Sequence, residues 1–155
     1  MRELERDTSP AVAPDAAREP IVVIGRGRVG GALSKSAAGA GLAVTQIGRE
    51  ADPDALAGAR VALICVPDTE IEAAALAIAG RAPSLAFAGH TSGACSLEPL
   101  APLAESGAEP FSLHPLQTVP DPGSSLAGAP AAISGASPAA LALARDLAEA
   151  VGMRP

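Results

Sequence analysis

From Pro20 onward, short unbroken apolar runs alternate with longer segments in which apolar residues recur every three or four positions. The run "IVVI" at 21–24 has no polar break, the pattern of a strand covered on both faces in a parallel sheet. A glycine-rich turn follows, then "VGGALSKSAA", which reads as a helix until Gly39 and Gly41 end it. "LAVTQIG" predicts a second strand, and "DPDALAG" a short helix with Asp52 as cap and Pro53 in the first turn. "RVALICVP" predicts a third strand, stopped by Pro67. In "DTEIEAAALAIAG", Ile71, Ala74, Ala75 and Ile78 share a helical face, while Glu70 and Glu72 occupy the first turn, where the dipole favours carboxylates. "SLAFAG" predicts a fourth strand, and 96–106 a helix crowded or bent by Pro99 and Pro102. "EPFSL" predicts a fifth strand, "PLQTVPDPGSSLAGAP" a long loop and "AAISG" a sixth strand. The last helix is expected to start with Ser137 as cap and Pro138 in first position. It aligns Leu141, Ala144, Leu147, Ala148 and Val151.

Regular alternation of strand and helix predicts an α/β fold: a doubly wound, mostly parallel sheet in three layers with right-handed crossovers. The expected strand order is 3-2-1-4-5-6, which makes the first and fourth strands neighbours and puts the ligand crevice outside their C-terminal ends.

Composition narrows the ligand. Of 155 residues, 48% are hydrophobic and 18% charged, yet Trp and Tyr are absent and Phe occurs only at 87 and 111. The core must be built from Ala, Val, Leu and Ile, and aromatic groups for stacking on bases are lacking. A net charge of −6 also disfavours a nucleic-acid partner, which needs a basic face. It leaves room for a small phosphorylated ligand held by backbone N–H groups and a few arginines. Cys65 and Cys95 lack metal-type spacing and read as reduced thiols of a cytoplasmic protein, with no metal site expected. No apolar run reaches membrane length. Residues 1–19, mixed in charge and rich in Ala and Pro, read as a flexible leader and not as a signal peptide.

"GRGRVGG" places Gly25, Gly27 and Gly30 in G-x-G-x-x-G register between a predicted strand and a predicted helix, the context in which that spacing is informative. Gly25 would make the tight turn, Gly27 admit a pyrophosphate to the backbone, and Gly30 let the helix pack on the strand. Arg26, Arg28 and Val29 lie in the same turn, the arginines facing either phosphate or water. An NAD site expects Asp or Glu about 20 residues on. Here the second strand ends "QIGRE", with Gly48 and then Arg49, which suits a 2′-phosphate and predicts NADP(H). Glu50 is the competing feature, because a small slip in register would put a carboxylate in the pocket.

The two histidines, His90 in "HTSG" and His114 in "SLHPLQ", each follow a predicted strand at the crevice edge. His90 could donate to a substrate carbonyl or act as acid or base in hydride transfer. Thr91, Ser92 and the N–H of Gly93 could hold a carboxylate. The plain alternative for either histidine is a loop residue satisfied by backbone. Cys65 reads as core, and Cys95 lacks the base that a nucleophile needs.

With these motifs in place, the chain resembles a family of Rossmann-like NADP-dependent reductases. The matching segments are "VIGRGRVGGAL", "LICVPDTEI", "HTSG" and "SLHPLQTV", which span most of residues 20–155 in order. That family is similar to prephenate dehydrogenases, pyrroline-5-carboxylate reductases and the 6-phosphogluconate dehydrogenase group. The resemblance implies an oxidoreductase acting on a small carbonyl substrate such as a 2-oxo acid, with 2-oxopantoate as one possibility. It adds Val66, Pro67, Asp68 and Gly93 to the cofactor side and implies catalytic roles for His90, Ser92 and His114. It also implies a helical second domain. On that basis 20–152 is the dinucleotide-binding domain and 153–155 the start of a linker. Little turnover, and a homodimer only with the helical domain, are then expected of this chain. The competing class is a non-catalytic dinucleotide-sensing or interaction domain.

Overall fold

The computed structural model describes residues 18–155. The expected leader therefore lies almost wholly outside the described residues; of its end, Glu19 reaches within 3.7 Å of Arg60. The elements are β1 (Ile21–Ile24), α1 (Arg28–Gly39), β2 (Val44–Ile47), α2 (Pro53–Ala57), β3 (Val61–Ile64), α3 (Ile71–Ile78), β4 (Phe87–His90), α4 (Ala101–Glu105), β5 (Glu109–Pro115), β6 (Ala131–Gly135) and α5 (Pro138–Ala150). Short 3-10 turns at Asp68–Glu70 and Glu98–Leu100 lead into α3 and α4. The helix expected over 96–106 is thus split: Pro99 sits in the 3-10 turn and Pro102 in the first turn of α4, where its missing N–H is tolerated. Asp52 and Ser137 cap α2 and α5 with their side chains, as their positions before Pro53 and Pro138 predict.

Six strands form one sheet in the order β2-β1-β3-β4-β5-β6. All pairs are parallel except β5–β6, which is antiparallel. The doubly wound α/β class stands, and the expected order 3-2-1-4-5-6 is corrected. The reason lies in the strands themselves. "VALI" of β3 is buried at all four positions and sits inside the sheet between β1 and β4. "VTQI" of β2 is only partly buried and takes the edge. An apolar strand gains most from cover on both faces, and a strand with two polar residues loses least at an edge. The chain reverses direction between β1 and β3, so the switch point lies there.

Alternate residues of each strand feed two cores. Ile21, Val23, Leu63 and Leu113 pack with α1 and α5 on one face. Val22, Ile24, Ala62 and Ile64 pack with α2, α3 and α4 on the other. Phe111, fully buried, sets the outer end of its ring against Gly89 of β4; any Cβ there would overlap it. The long loop between β5 and β6 also enters the first core, through Val119, Leu126 and Ala129. It is strapped to α1, where Lys35 Nζ donates to the Gly123 carbonyl at 2.9 Å. The end of the chain is packed as well. Met153 is buried and Arg154 pairs its backbone with Ala129 and Ala131.

Candidate functional site

The glycine turn joins β1 to α1, and its three glycines do three different things. Gly25 has φ +119°, and a Cβ there would overlap the carbonyl oxygen of Cys65. Only glycine makes this turn against β3. A Cβ on Gly30 would overlap the Gly25 carbonyl and come within 3.2 Å of Cys65 Cβ, so this glycine sets the approach of α1 to the sheet. Around Gly27 nothing lies within 4 Å of where a Cβ would be; the backbone there faces open space. Gly27 is also the N-cap of α1, which has no side-chain cap and no acidic residue in its first turn. The first N–H groups and the positive end of the helix dipole are left for another partner. Gln46 Nε2 donates to the Gly25 carbonyl at 2.8 Å and pins the turn to β2.

Three strand ends converge on this turn. A crevice of about 690 Å³ is lined by Gly27, Arg28 and Val29 after β1, by Val66, Pro67 and Asp68 after β3, and by Ser92 and Gly93 after β4. His114 of β5 completes the wall. Because β3 intervenes, "HTSG" stands one strand further from the turn than the expected order implies, yet it still shares the crevice. Leu116, Ala132 and Ala94 also line it and were not expected from sequence. Only the position of β6 beside β5 brings Ala132 there.

The two histidines part company. His90 is fully buried. The Ser92 N–H donates to its Nδ1 at 3.2 Å, which leaves Nε2 to carry the proton and donate to the Ser96 carbonyl at 2.8 Å. Neither ring nitrogen remains for a substrate, and the side chain does not line the crevice. The expected catalytic role is therefore corrected: His90 fixes both ends of the 92–96 turn. His114 is half-buried and lines the crevice. Its Nδ1 donates to the Thr91 carbonyl at 2.8 Å, which leaves Nε2 as the unprotonated nitrogen of the neutral ring. Ser92 Oγ accepts from the Ala94 and Cys95 N–H groups, so its own proton is free to donate.

Past the end of β2, Arg26, Gly48, Arg49, Glu50 and Asp52 surround a second, polar cleft of about 840 Å³. A Cβ on Gly48 would sit 3.5 Å from Arg26 Nε, so the absence of a side chain there leaves the guanidinium room. Arg49 Nη2 lies 2.7 Å from Glu70 Oε2, a pairing for which the order of residues carries no signal. Glu70 and Arg49 stand at a small apolar slot of about 170 Å³ walled by Ile24, Val66, Ala74 and Ala77. Cys65 also touches the main crevice, but burial pushes its thiol up to about 12, only partly offset by a hydrogen bond with the Thr91 side chain. It stays a thiol and a packing residue.

A family model described as a Rossmann-like domain matches residues 43–115. No curated protein matches the chain. Among solved structures, Synechocystis arogenate dehydrogenase is similar with a TM-score of 0.72 at 17% identity, covering 88% of this chain and 58% of that one. Prephenate dehydrogenase from A. aeolicus, in complex with hydroxyphenyl propionate and NAD+, gives 0.67 at 14% identity, covering 87% and 58%. Plasmodium falciparum pyrroline carboxylate reductase with NADP bound gives 0.67 at 11% identity, covering 90% and 57%. The chain spans less than two thirds of these proteins, and what it shares with them is the Rossmann-like fold. No helix among the described residues is long and apolar enough to cross a membrane.

Proposed function

We propose that this domain binds NADP(H) and serves hydride transfer to a small carbonyl substrate such as a 2-oxo acid, 2-oxopantoate among them. The observation that carries this reading is the glycine turn. Gly25 and Gly30 are sterically obligatory, Gly27 opens onto space, and an uncapped helix N-terminus follows, all at the head of the crevice into which three further strand ends converge. That set fits a pyrophosphate. Arg26 and Arg49, at the second cleft, fit a 2′-phosphate, for which a guanidinium is the better partner than an ammonium. Kinship of fold with arogenate and prephenate dehydrogenases and with a reductase that has NADP bound agrees with the reading.

The dinucleotide, when bound, supplies or accepts the hydride. The chain's own groups do the rest. The first-turn N–H groups of α1 hold the diphosphate, with Arg28 beside them. Val66, Pro67 and Asp68 wall the crevice beyond it. Ser92, through its free hydroxyl proton, and the N–H of Gly93 hold the substrate carboxylate. As hydride reaches the carbonyl carbon, His114 gives the substrate oxygen a proton from Nε2 of its doubly protonated ring and is left neutral, its Nδ1–H still held by the Thr91 carbonyl. Efficient turnover draws on further groups from a helical second domain of the kind the resemblance implies.

Calorimetric titration with NADPH and NADH tests the proposal. NADPH should bind more tightly, and Arg49→Ala should weaken NADPH by roughly tenfold while sparing NADH, about the value of one charge-assisted contact. Equal affinities in the unaltered protein would sink the role of Arg49, and no binding of either would sink the whole reading.

A further inference from the structure

The guanidinium assigned to the 2′-phosphate is already occupied. Arg49 follows β2 and Glu70 ends the 3-10 turn after β3, so their 2.7 Å ion pair spans from one side of the apolar slot to the other. Both side chains are accessible, Arg49 at 73% and Glu70 at 36%. Among the described residues neither has a second ion-pair partner. Glu50, the carboxylate that follows Arg49 in sequence, is exposed and makes no ion pair among the described residues. The acid that meets Arg49 comes instead from a different strand end.

We propose that Glu70 sets the balance between NADP(H) and NAD(H) by competing with the 2′-phosphate for Arg49; this rests on the dinucleotide reading above. A phosphate monoester carries about −1.5 to −2 charges near neutral pH and three strong acceptor oxygens. To use Arg49 it must draw the guanidinium away from Glu70 and leave that carboxylate unpaired beside a like charge. A dinucleotide with a free 2′-hydroxyl imposes neither change. The exposed pair is weak enough for a dianion to break. Its cost therefore falls on NADP(H) alone, and it holds the preference for that cofactor below what Arg49 would give unopposed. Glu70 is in this sense a specificity residue, acting through Arg49.

The test is calorimetry on the whole chain with NADPH and NADH, comparing the unaltered protein, E70Q, R49A and the double variant. Glu70 is accessible and on the surface of a turn, so E70Q keeps the fold, which circular dichroism checks. E70Q should tighten NADPH by roughly threefold to fivefold and leave NADH within about twofold, the scale of an exposed ion pair. In the R49A background the same change should bring no gain. Unchanged or weakened NADPH binding in E70Q, with NADPH still bound by the unaltered protein, overturns this proposal alone. An equal gain in the R49A background overturns competition through Arg49. Failure of the unaltered protein to bind either dinucleotide overturns the cofactor reading and this proposal with it.

Discussion

The imidazole of His114 rests directly on the backbone of Gly93: a Cβ at Gly93 would lie 2.6 Å from both Cδ2 and Nε2 of the ring. The glycine is needed for space and not for its backbone angles, since its φ is not in the left-handed region. Gly93→Ala is therefore allowed by the chain and refused by the ring. The expected outcome is a folded protein in which His114 has been displaced from the Thr91 carbonyl. Dinucleotide affinity should stay within about threefold, because the phosphate-holding turn is untouched. In a chain that turns over, the rate should fall by at least roughly tenfold, the usual result of misplacing an acid–base group. Imidazole resonances that do not move in the variant would refute the packing.

The same contacts fix two opposite tautomers. His90 accepts at Nδ1 and donates from Nε2, whereas His114 donates from Nδ1. With only two histidines in the chain, a long-range nitrogen–proton spectrum at neutral or mildly alkaline pH resolves both rings without assignment by mutagenesis. One ring should show the Nε2–H pattern and the other the Nδ1–H pattern. Two identical patterns would overturn the assignment for one of them. His90→Leu should be costly, because it takes away the partner of the Ser92 N–H and of the Ser96 carbonyl, both in part-buried hydrogen bonds to a fully buried ring. A loss of about 2–4 kcal/mol is expected in urea denaturation.

Much of this was legible in the chain, and what was not has physical causes. Periodicity and punctuation located the six strands, the caps at Asp52 and Ser137 and the three glycines of the turn, because each of these is a local choice of the backbone. Strand order is a choice between two ways of winding the same elements. The clue was present in "VALI" against "VTQI", a fully apolar strand for the interior and a mixed one for the edge. His90 and His114 look alike in sequence, each just past an apolar run. What separates them is the register that lines His90 up with Ile64 and Ser112 inside the sheet, and the turn that folds Ser92 and Ser96 back onto its ring. The Arg49–Glu70 pair depends on the splay of two strand ends and leaves no mark on the sequence.

Helix α1 offers a contrast between two glycines. Gly39, its last residue, has nothing within 4 Å of a notional Cβ, so Gly39→Ala should stabilise by about 0.5–1 kcal/mol through helix propensity. Gly31 lies inside the same helix, where the propensity gain would be at least as large. A Cβ there would overlap the ring of Pro122 and sit 3.3 Å from its carbonyl oxygen. Gly31→Ala must lift the strap from α1 or bend the helix, and it should destabilise in spite of propensity. Thermal melts of the pair check this, since a shift of roughly 2–4 °C per kcal/mol is expected at this chain length. Two shifts of the same sign would show that the strap yields freely.

Asp146 on α5 supplies a pH dependence. Burial raises its carboxyl above the ordinary value, Glu149 adds to this, and Arg145 opposes it in part. Its Oδ2 is buried and has no hydrogen-bond partner among the described residues. A raised value means that the folded state holds this proton more tightly than the unfolded chain does. Stability then declines as pH rises through the interval from the ordinary carboxylate value to the raised one, and the penalty is complete above it. Asp146→Asn removes the charge and keeps the shape. It should raise the melting temperature at pH 7 by about 1–3 °C, a small effect because the group is only partly withdrawn from water. The gain should vanish in acid, below the ordinary carboxylate range, where the native side chain is itself neutral. A gain that persists undiminished there would mean that the charge of Asp146 is not its source.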